Sequence, residues 1–314
     1  MVGGRGIRRG LKRIVESTIV RSGLPKLKLG QLAGQRLILA YHNVVPSGRT
    51  VWGERSLHIT RELFRRHLDV ISGMCHVVPL PELLNNREAA GGTASRPFVS
   101  ITFDDAYRGA AQEGVEDLES FNIPATYFVV PGLGEQPGFW WDLLAETRGG
   151  QLPPELRRRA LEEFRGCQDE VLKNLGSSDT GSLEPPAYAR PSSCDELREL
   201  GSRPGIHIGC HTWSHPNLTR LTVKEQMAEL ERAQEWLRAE PRALAGVLSY
   251  PYGLHDPLVQ ESARQAGFDH ALRIDGGWLS RAGSPDLAVP RLNVPSGLSP
   301  DGLKLRLSRL RGSE

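Results

Sequence analysis

Short apolar runs alternate along this chain with longer segments whose apolar residues recur every three or four positions. The runs Leu37-Ile38-Leu39-Ala40-Tyr41, Phe98-Val99-Ser100-Ile101-Thr102-Phe103, Ala125-Thr126-Tyr127-Phe128-Val129-Val130 and Ala243-Leu244-Ala245-Gly246-Val247-Leu248 have the length and composition of buried strands, and Phe268 to Leu272 is a shorter one. Between them, residues 60 to 72 read as a helix capped by Thr60 that buries Leu63, Phe64, Leu68 and Ile71. Ala111 to Phe121 is a second helix. Thr222 to Ala239 is a long one, with Glu225 completing a capping box on Thr222. Residues 258 to 266 form another, stopped by Gly267, and Ser299-Pro300 opens a terminal helix with Leu303, Leu307 and Leu310 on one side. Strands and helices taking turns favour an α/β barrel over a sandwich. No internal repeat is visible.

One stretch interrupts the alternation. Residues 136 to 205 read as a helical insertion that begins with Phe139-Trp140-Trp141-Asp142, continues as a charged helix from Glu155 to Leu175, and turns polar and Pro-rich from Gly176 to Ser193. The predicted organisation is a basic amphipathic segment over residues 1–34, one main α/β domain over 35–298 that carries the insertion, and a basic C-terminal helix over 299–314.

Composition adds bounds. At 314 residues, 39% hydrophobic and 24% charged, the chain is an ordinary globular protein with room for one large barrel. A net charge of +2 suggests no nucleic-acid role. The four cysteines, Cys75, Cys167, Cys194 and Cys210, are scattered and fit a reducing compartment. Locally the charge is uneven: residues 1–28 carry eight Lys or Arg against the single acid Glu16. Here Ile7, Leu11, Ile14, Val15, Thr18 and Ile19 share one helical face. Such a helix either lies on an anionic membrane surface or docks on the barrel with its cations solvated. No apolar run reaches the roughly 18 residues of a membrane span, and no secretory h-region follows the basic residues. The expected location is cytoplasmic, with membrane-surface association through residues 1–30 as the added option.

The candidate chemistry sits where apolar runs end. Asp104-Asp105 closes the run from Phe98 to Phe103, and two adjacent carboxylates leaving a buried strand call for a cation unless they only cap a turn. His211-Thr212-Trp213-Ser214-His215 offers two imidazoles four residues apart, a spacing that puts both rings on one face of a helical turn. Two His, one Asp and an open position form a common catalytic set for a divalent metal. Ser249-Tyr250-Pro251-Tyr252-Gly253 is a sharp turn after a strand that aims backbone N–H groups at one point. Cys210 adjoins His211, but neighbours on one backbone rarely both reach one ion.

Taken in order, Thr102-Phe103-Asp104-Asp105, His211-Thr212-Trp213-Ser214-His215 and Tyr250-Pro251-Tyr252-Gly253 resemble the motifs of the polysaccharide deacetylase family, carbohydrate esterase family 4. The resemblance spans residues 36 to 295. It implies a distorted (β/α)7 barrel with a metal-dependent hydrolase site at the strand C-termini. It also implies Asp104 as catalytic base, Asp105, His211 and His215 as metal ligands, and the Tyr252 N–H as an oxyanion donor.

Two departures stand out. Many members carry an Arg two residues before the Pro of the third motif, where this chain has Ser249. Either Arg291, in Val289-Pro290-Arg291-Leu292-Asn293-Val294, takes over the holding of Asp104, or Arg291 is a surface residue. The usual late Leu-x-His segment is also missing. The strand end Tyr41-His42 resembles a subgroup in which the catalytic histidine comes from the N-terminal side, and His42, with an ordinary pKa of about 6.5, suits an acid for the departing amine. Trp213 and Pro251 are expected to face the substrate, while Trp140 and Trp141 either line a glycan cleft or pack the insertion onto the barrel. The expected reaction is removal of an acetyl group from an N-acetylated sugar by metal-activated water, the metal being zinc first, or cobalt, nickel or manganese. The competing readings are an O-acetyl esterase, a hydrolase of non-sugar amides, and an inactive glycan-binding protein.

Overall fold

Parallel pairing of the apolar runs closes a barrel. The computed structural model describes residues 13–85, 95–280 and 285–310. Its strands, in chain order, are β1 (Arg36–Tyr41), β2 (Asn43–Val45), β3 (His58–Thr60), β4 (His76–Val77), β5 (Phe98–Phe103), β6 (Ala125–Val129), β7 (Ile206–Cys210), β8 (Ala243–Ser249), β9 (His270–Gly276) and β10 (Val289–Asn293). Each of β5 through β10 pairs with the next in parallel, and β1 pairs in parallel with both β10 and β5, so seven strands form a closed (β/α)7 ring. Closure removes the free edges that an open sheet would expose. The short β4 adds to the start of β5, and β2 pairs with β3 outside the ring.

Strand alternation sorts the core into an outer layer and an inner plug. On β1, Leu37, Leu39 and Tyr41 join the large cluster under the surrounding helices, with Val99, Ile101 and Phe103 of β5 and Tyr127 of β6. The opposite faces contribute Ile38, Phe128, Val247, Leu272 and Val289, a second cluster joined by Leu80, Leu83 and Leu84. Period-two alternation requires this split. The inward face turns polar toward the strand C-termini, at Thr102, Asp104, Ser249 and Arg291, all buried. That is where a barrel of this kind places its chemistry.

The helical shell follows the sequence closely. Thr60 caps Arg61–Met74 by accepting from Leu63 N–H, and that helix buries Phe64, Leu68 and Ile71 but leaves Leu63 half-buried. Thr222 and Glu225 form the expected capping box on Val223–Arg238. Ser299 caps Pro300–Leu307, which buries Leu303, Leu305 and Leu307. Three expectations need correction. The segment from Glu155 to Leu175 is two helices, Pro154–Glu162 and Gln168–Leu175, because Arg165 and Gly166 both turn left-handed between them (φ 55° and 66°). The helix expected from Ala111 opens as a π turn, Ala110–Gly114, before Val115–Ser120. The strand expected at Phe268 to Leu272 runs instead over His270–Gly276.

The insertion between β6 and β7 has a core of its own. Phe139, Trp140, Trp141, Leu144, Ala160 and Val171 pack with Tyr107 and Val130. Phe139 stacks on Trp141 at 4.7 Å, and Tyr107 meets Phe139 edge-on at 4.5 Å. The tryptophans thus do weld the insertion to the barrel top. Beneath them Asp142 is fully buried and accepts from His58 Nε2 (2.9 Å), Glu54 N–H (2.8 Å) and Tyr107 O–H (2.7 Å). Gly53, at φ 82°, crosses so close to Asp142 that a Cβ there would collide with its carboxylate.

Candidate active site

Three strand ends deliver the three motifs to one place. Ladder hydrogen bonds pin each one as it leaves the barrel: Asp104 N–H to Tyr41 O (2.9 Å), His211 N–H to Val129 O (3.1 Å) and Tyr250 N–H to Leu272 O (3.0 Å). Beyond these points the backbone turns sharply. Of nine non-glycine residues with positive φ among the described residues, four belong to the motifs, Asp105 (69°), Thr212 (65°), His215 (60°) and Tyr252 (58°), and a fifth, Ala106 (52°), directly follows the first motif. Such conformations cost on the order of 1–3 kcal/mol each and gather where side-chain aim matters more than stability. The 211–215 segment is therefore a loop, not the helical turn its spacing suggested. Its rings converge because Thr212 and His215 reverse the chain, with Thr212 Oγ1 accepting from His215 N–H at 3.0 Å.

Asp105, His211 and His215, all buried, form the one candidate metal-binding triad among the described residues. Their facing atoms make a small triangle. Nε2 of His211 and of His215 lie 3.1 Å apart, and Asp105 Oδ1 lies 3.4 Å and 3.2 Å from them. His211 Nδ1 sits 2.7 Å from Ser249 O, so it donates there and its Nε2 faces the triangle with a lone pair. A carboxylate oxygen and two imidazole nitrogens gathered this closely could hold one metal ion between them. Ligands about 2.0–2.2 Å from a zinc-like ion at tetrahedral angles lie roughly 3.3–3.5 Å apart. The observed edges are close to that, so the donor set fits a divalent metal. The His215 ring is held by Tyr252 and Trp141, at centroid distances of 4.5 Å and 5.0 Å.

Arg291 resolves the first departure. It is fully buried and grips Asp104 through two parallel bonds, Nη1 to Oδ1 (2.8 Å) and Nη2 to Oδ2 (2.7 Å). Its other donors reach Ser249 Oγ (2.8 Å), Thr102 Oγ1 (3.2 Å) and Arg273 O (2.9 Å). Ser249 passes its own hydroxyl proton toward Asp104 Oδ1 at 3.3 Å. Burial alone would push the Asp104 carboxyl up, but Arg291 and the nearby imidazoles more than offset it and hold it below the usual carboxylate range. For Asp105 burial again opposes ionisation, and the two imidazoles hold it far lower.

The second departure resolves through strand register. Tyr41 pairs with Phe103, so the next residues, His42 and Asp104, leave neighbouring strands at the same level. His42 lines the same cavity of about 220 Å³ as Asp104, Asp105, His211, His215 and Tyr252. Burial lowers the His42 pKa below 6.5, partly opposed by the charges of Asp105 and Asp104. At the third motif the turn's own bonds, Gly253 N–H to Tyr250 O and Leu254 N–H to Pro251 O, leave the Tyr252 amide out. The Tyr252 hydroxyl is tied to the insertion, accepting from Trp140 Nε1 (3.0 Å) and donating to Gly166 O (3.3 Å).

Two predicted substrate residues lie elsewhere. Trp213 does not line this cavity. Its ring is covered by the Arg232 guanidinium at 3.9 Å, and a Cβ on Gly132 would sit 2.5 Å from its Nε1, so close is the packing there. Pro251 is buried inside the turn and is not part of the lining either. The tryptophan that does reach the cavity is Trp141, which lines it beside Tyr252, with Leu57, Arg157, Ile274 and Asn293. The register Ala40 to Asn293 accounts for Asn293, whereas no sequence pattern separates Arg157 from its neighbours Arg158 and Arg159.

A closed (β/α)7 barrel with a buried Asp-His-His triad at its strand C-termini is the arrangement that the sequence motifs led us to expect of a hydrolase. The chain matches the family model described as polysaccharide deacetylase over residues 91–271, more than half its length, and it belongs to that family; it is a carbohydrate deacetylase. No curated protein matches the chain by sequence. Among solved structures, it is similar to the Streptococcus pyogenes deacetylase PplD in complex with acetate (17% identity, TM-score 0.60, covering 87% of this chain and 98% of that one). It is also similar to a de-N-acetylase from Aggregatibacter actinomycetemcomitans (15% identity, TM-score 0.59, 87% and 99% covered) and to IcaB from Ammonifex degensii (18%, 0.56, 87% and 97%). At these identities the likeness speaks for the fold.

Proposed function

We propose that the enzyme removes N-acetyl groups from an amino-sugar-containing glycan or glycan precursor, with a divalent metal, zinc first, held by Asp105, His211 and His215. The observation that carries this is the convergence of those three buried side chains on one point beside the Arg291-held Asp104. The similar structure described as a de-N-acetylase supports the choice of an N-acetyl substrate, and the one described as a deacetylase in complex with acetate supports acetate as the product. Four free cysteines agree with a reducing, cytoplasmic setting.

When bound, the ion would lower the pKa of a water toward about 7 and polarise the acetyl carbonyl. Asp104 accepts the proton of the attacking water on a carboxylate oxygen. Arg291 fixes the plane of that carboxylate with two bonds, so its remaining lone pairs point in set directions. The Tyr252 N–H, unclaimed by its own turn, donates to the developing oxyanion. His42, in the role given to a histidine from the N-terminal strand end, hands a proton to the leaving nitrogen. Its lowered pKa makes it a ready donor once protonated. Trp141 and Leu57 supply the apolar wall against which a sugar face can lie.

Acetate release from N-acetylglucosamine oligomers, compared with O-acetylated xylan, tests the reading. Release from the oligomers, abolished in Asp104→Asn, is expected. Release from xylan alone makes the enzyme an esterase, and glycan binding without acetate makes it a binding protein.

A further inference from the structure

The N-terminal region is built inside out. In the helical stretch 13–21 the one acid, Glu16, is buried, and its carboxylate accepts from Ser299 Oγ (2.6 Å) at the cap of the terminal helix. Ile14 and Val15 face out instead, 64% and 52% exposed. The next helix, Leu24–Gln31, repeats the arrangement: Pro25 and Leu29 are buried, while Leu24 and Leu27 are 39% and 68% exposed. Among the described residues, four of the seven exposed large apolar side chains therefore fall within residues 14–27. Scattered single exposures are ordinary, but this concentration is not.

The charge around them has one sign. Arg13, Arg21, Lys26 and Lys28 are all exposed, and the only acid in the first 28 residues is turned inward. By helical geometry Ile14, Thr18 and Arg21 lie opposite the buried Glu16, and Leu27 lies opposite Pro25 and Leu29, so apolar and cationic groups share the outward side. A protein partner is recognised by paired charges of both signs and a rim of hydrogen bonds. Apolar side chains interspersed only with cations match instead a surface that is anionic outside and apolar just beneath, the interface of a bilayer. No helix among the described residues is long and apolar enough to cross a membrane, so the contact is a surface one.

We propose that residues 13–28 dock the enzyme on an anionic lipid bilayer, with Ile14, Val15, Leu24 and Leu27 entering the headgroup boundary and Arg13, Arg21, Lys26 and Lys28 pairing with lipid phosphates. This is independent of the substrate assignment. The test is flotation of the full chain with phosphatidylcholine vesicles, with and without 30% phosphatidylglycerol. Wild type floats with the anionic vesicles only, and 0.5 M salt weakens the binding. Ile14→Asp with Leu27→Asp lowers the partition at least tenfold while leaving the circular-dichroism spectrum and thermal melt unchanged, which shows the variant folded. Equal flotation of wild type and the double variant, or no flotation of wild type, overturns the proposal. So does a concentration-dependent dimer in sedimentation that the same substitutions abolish, since a second copy then covers the surface.

Discussion

Replacing Arg291 by Met removes the cation that holds Asp104 and leaves a carboxylate of 3% exposure without its partner. Two charge-assisted bonds, at 2.8 Å and 2.7 Å, are lost. Each is worth roughly 1.5–3 kcal/mol, and breaking one side of a buried ion pair costs about 3–5 kcal/mol. The protein escapes part of that cost by protonating Asp104. With the guanidinium gone, burial is opposed only by the nearby imidazoles, and the Asp104 carboxyl rises from its present position below the ordinary carboxylate value. A base protonated at higher pH moves the acid limb of kcat/KM upward by the same amount, and kcat at the optimum falls about 10²-fold or more through lost aim. The assay is acetate release across pH 4–9, with a thermal melt to confirm folding. The double change Arg291→Ser with Ser249→Arg restores a guanidinium from the strand whose hydroxyl already reaches Asp104, and should recover at least about tenfold of the loss. An Arg291→Met enzyme that keeps both the wild-type rate and the wild-type acid limb would refute the idea that Arg291 positions the base.

His42→Ala should lower kcat with little change in KM for the oligomer and should remove the basic limb of the pH profile; an unchanged limb would assign the acid to another group. Asp142→Ala strips the partner from His58, Tyr107 and the Glu54 N–H, and leaving such buried donors unpaired costs on the order of 3–5 kcal/mol in a chemical melt. Because Tyr107 also accepts from Trp141 Nε1 (2.6 Å), KM should rise as the cavity wall loosens. His67, buried between the Tyr41 hydroxyl and Leu298 O, titrates at about 4 rather than 6.5, chiefly through burial. The unfolded chain therefore binds the proton first. This stability is complete above pH 6.5 and is lost as pH falls toward 4, by about 3 kcal/mol in all. His67→Gln should flatten that loss in urea melts, and an unaltered slope would contradict it.

How much of this could be read before any fold was known depends on the range of the interaction. Strand runs, caps and the capping box at Thr222 are local, and they appear close to where the apolar pattern puts them. The three motifs were legible because each sits at a strand end, and barrel strands end on one side. Arg291 and His42 were legible as alternatives, yet their convergence on Asp104 rests on the β1–β5 register and on the register shift between β9 and β10, where β9 holds the extra residues, and neither is written in periodicity. Residues 211–215 misled because four-residue spacing suits a helix, while left-handed Thr212 and His215 achieve the same meeting of rings in a loop. Trp213 misled for a related reason: lying between two ligands in sequence says nothing of direction, and the reversal turns its ring out beneath Arg232. Trp141 and Arg157 reach the cavity only through the packing of the insertion, which no local signal specifies.

The central claim is that Asp105, His211 and His215 together bind one catalytic metal ion. Its most direct test is the metal content of purified protein by mass spectrometry, read beside acetate release. The account predicts about one divalent ion per chain in wild type and in Asp104→Asn, almost none in His215→Ala, and activity that chelation removes and zinc restores. Stoichiometric metal in His215→Ala, or full turnover by chelated wild type, would contradict it.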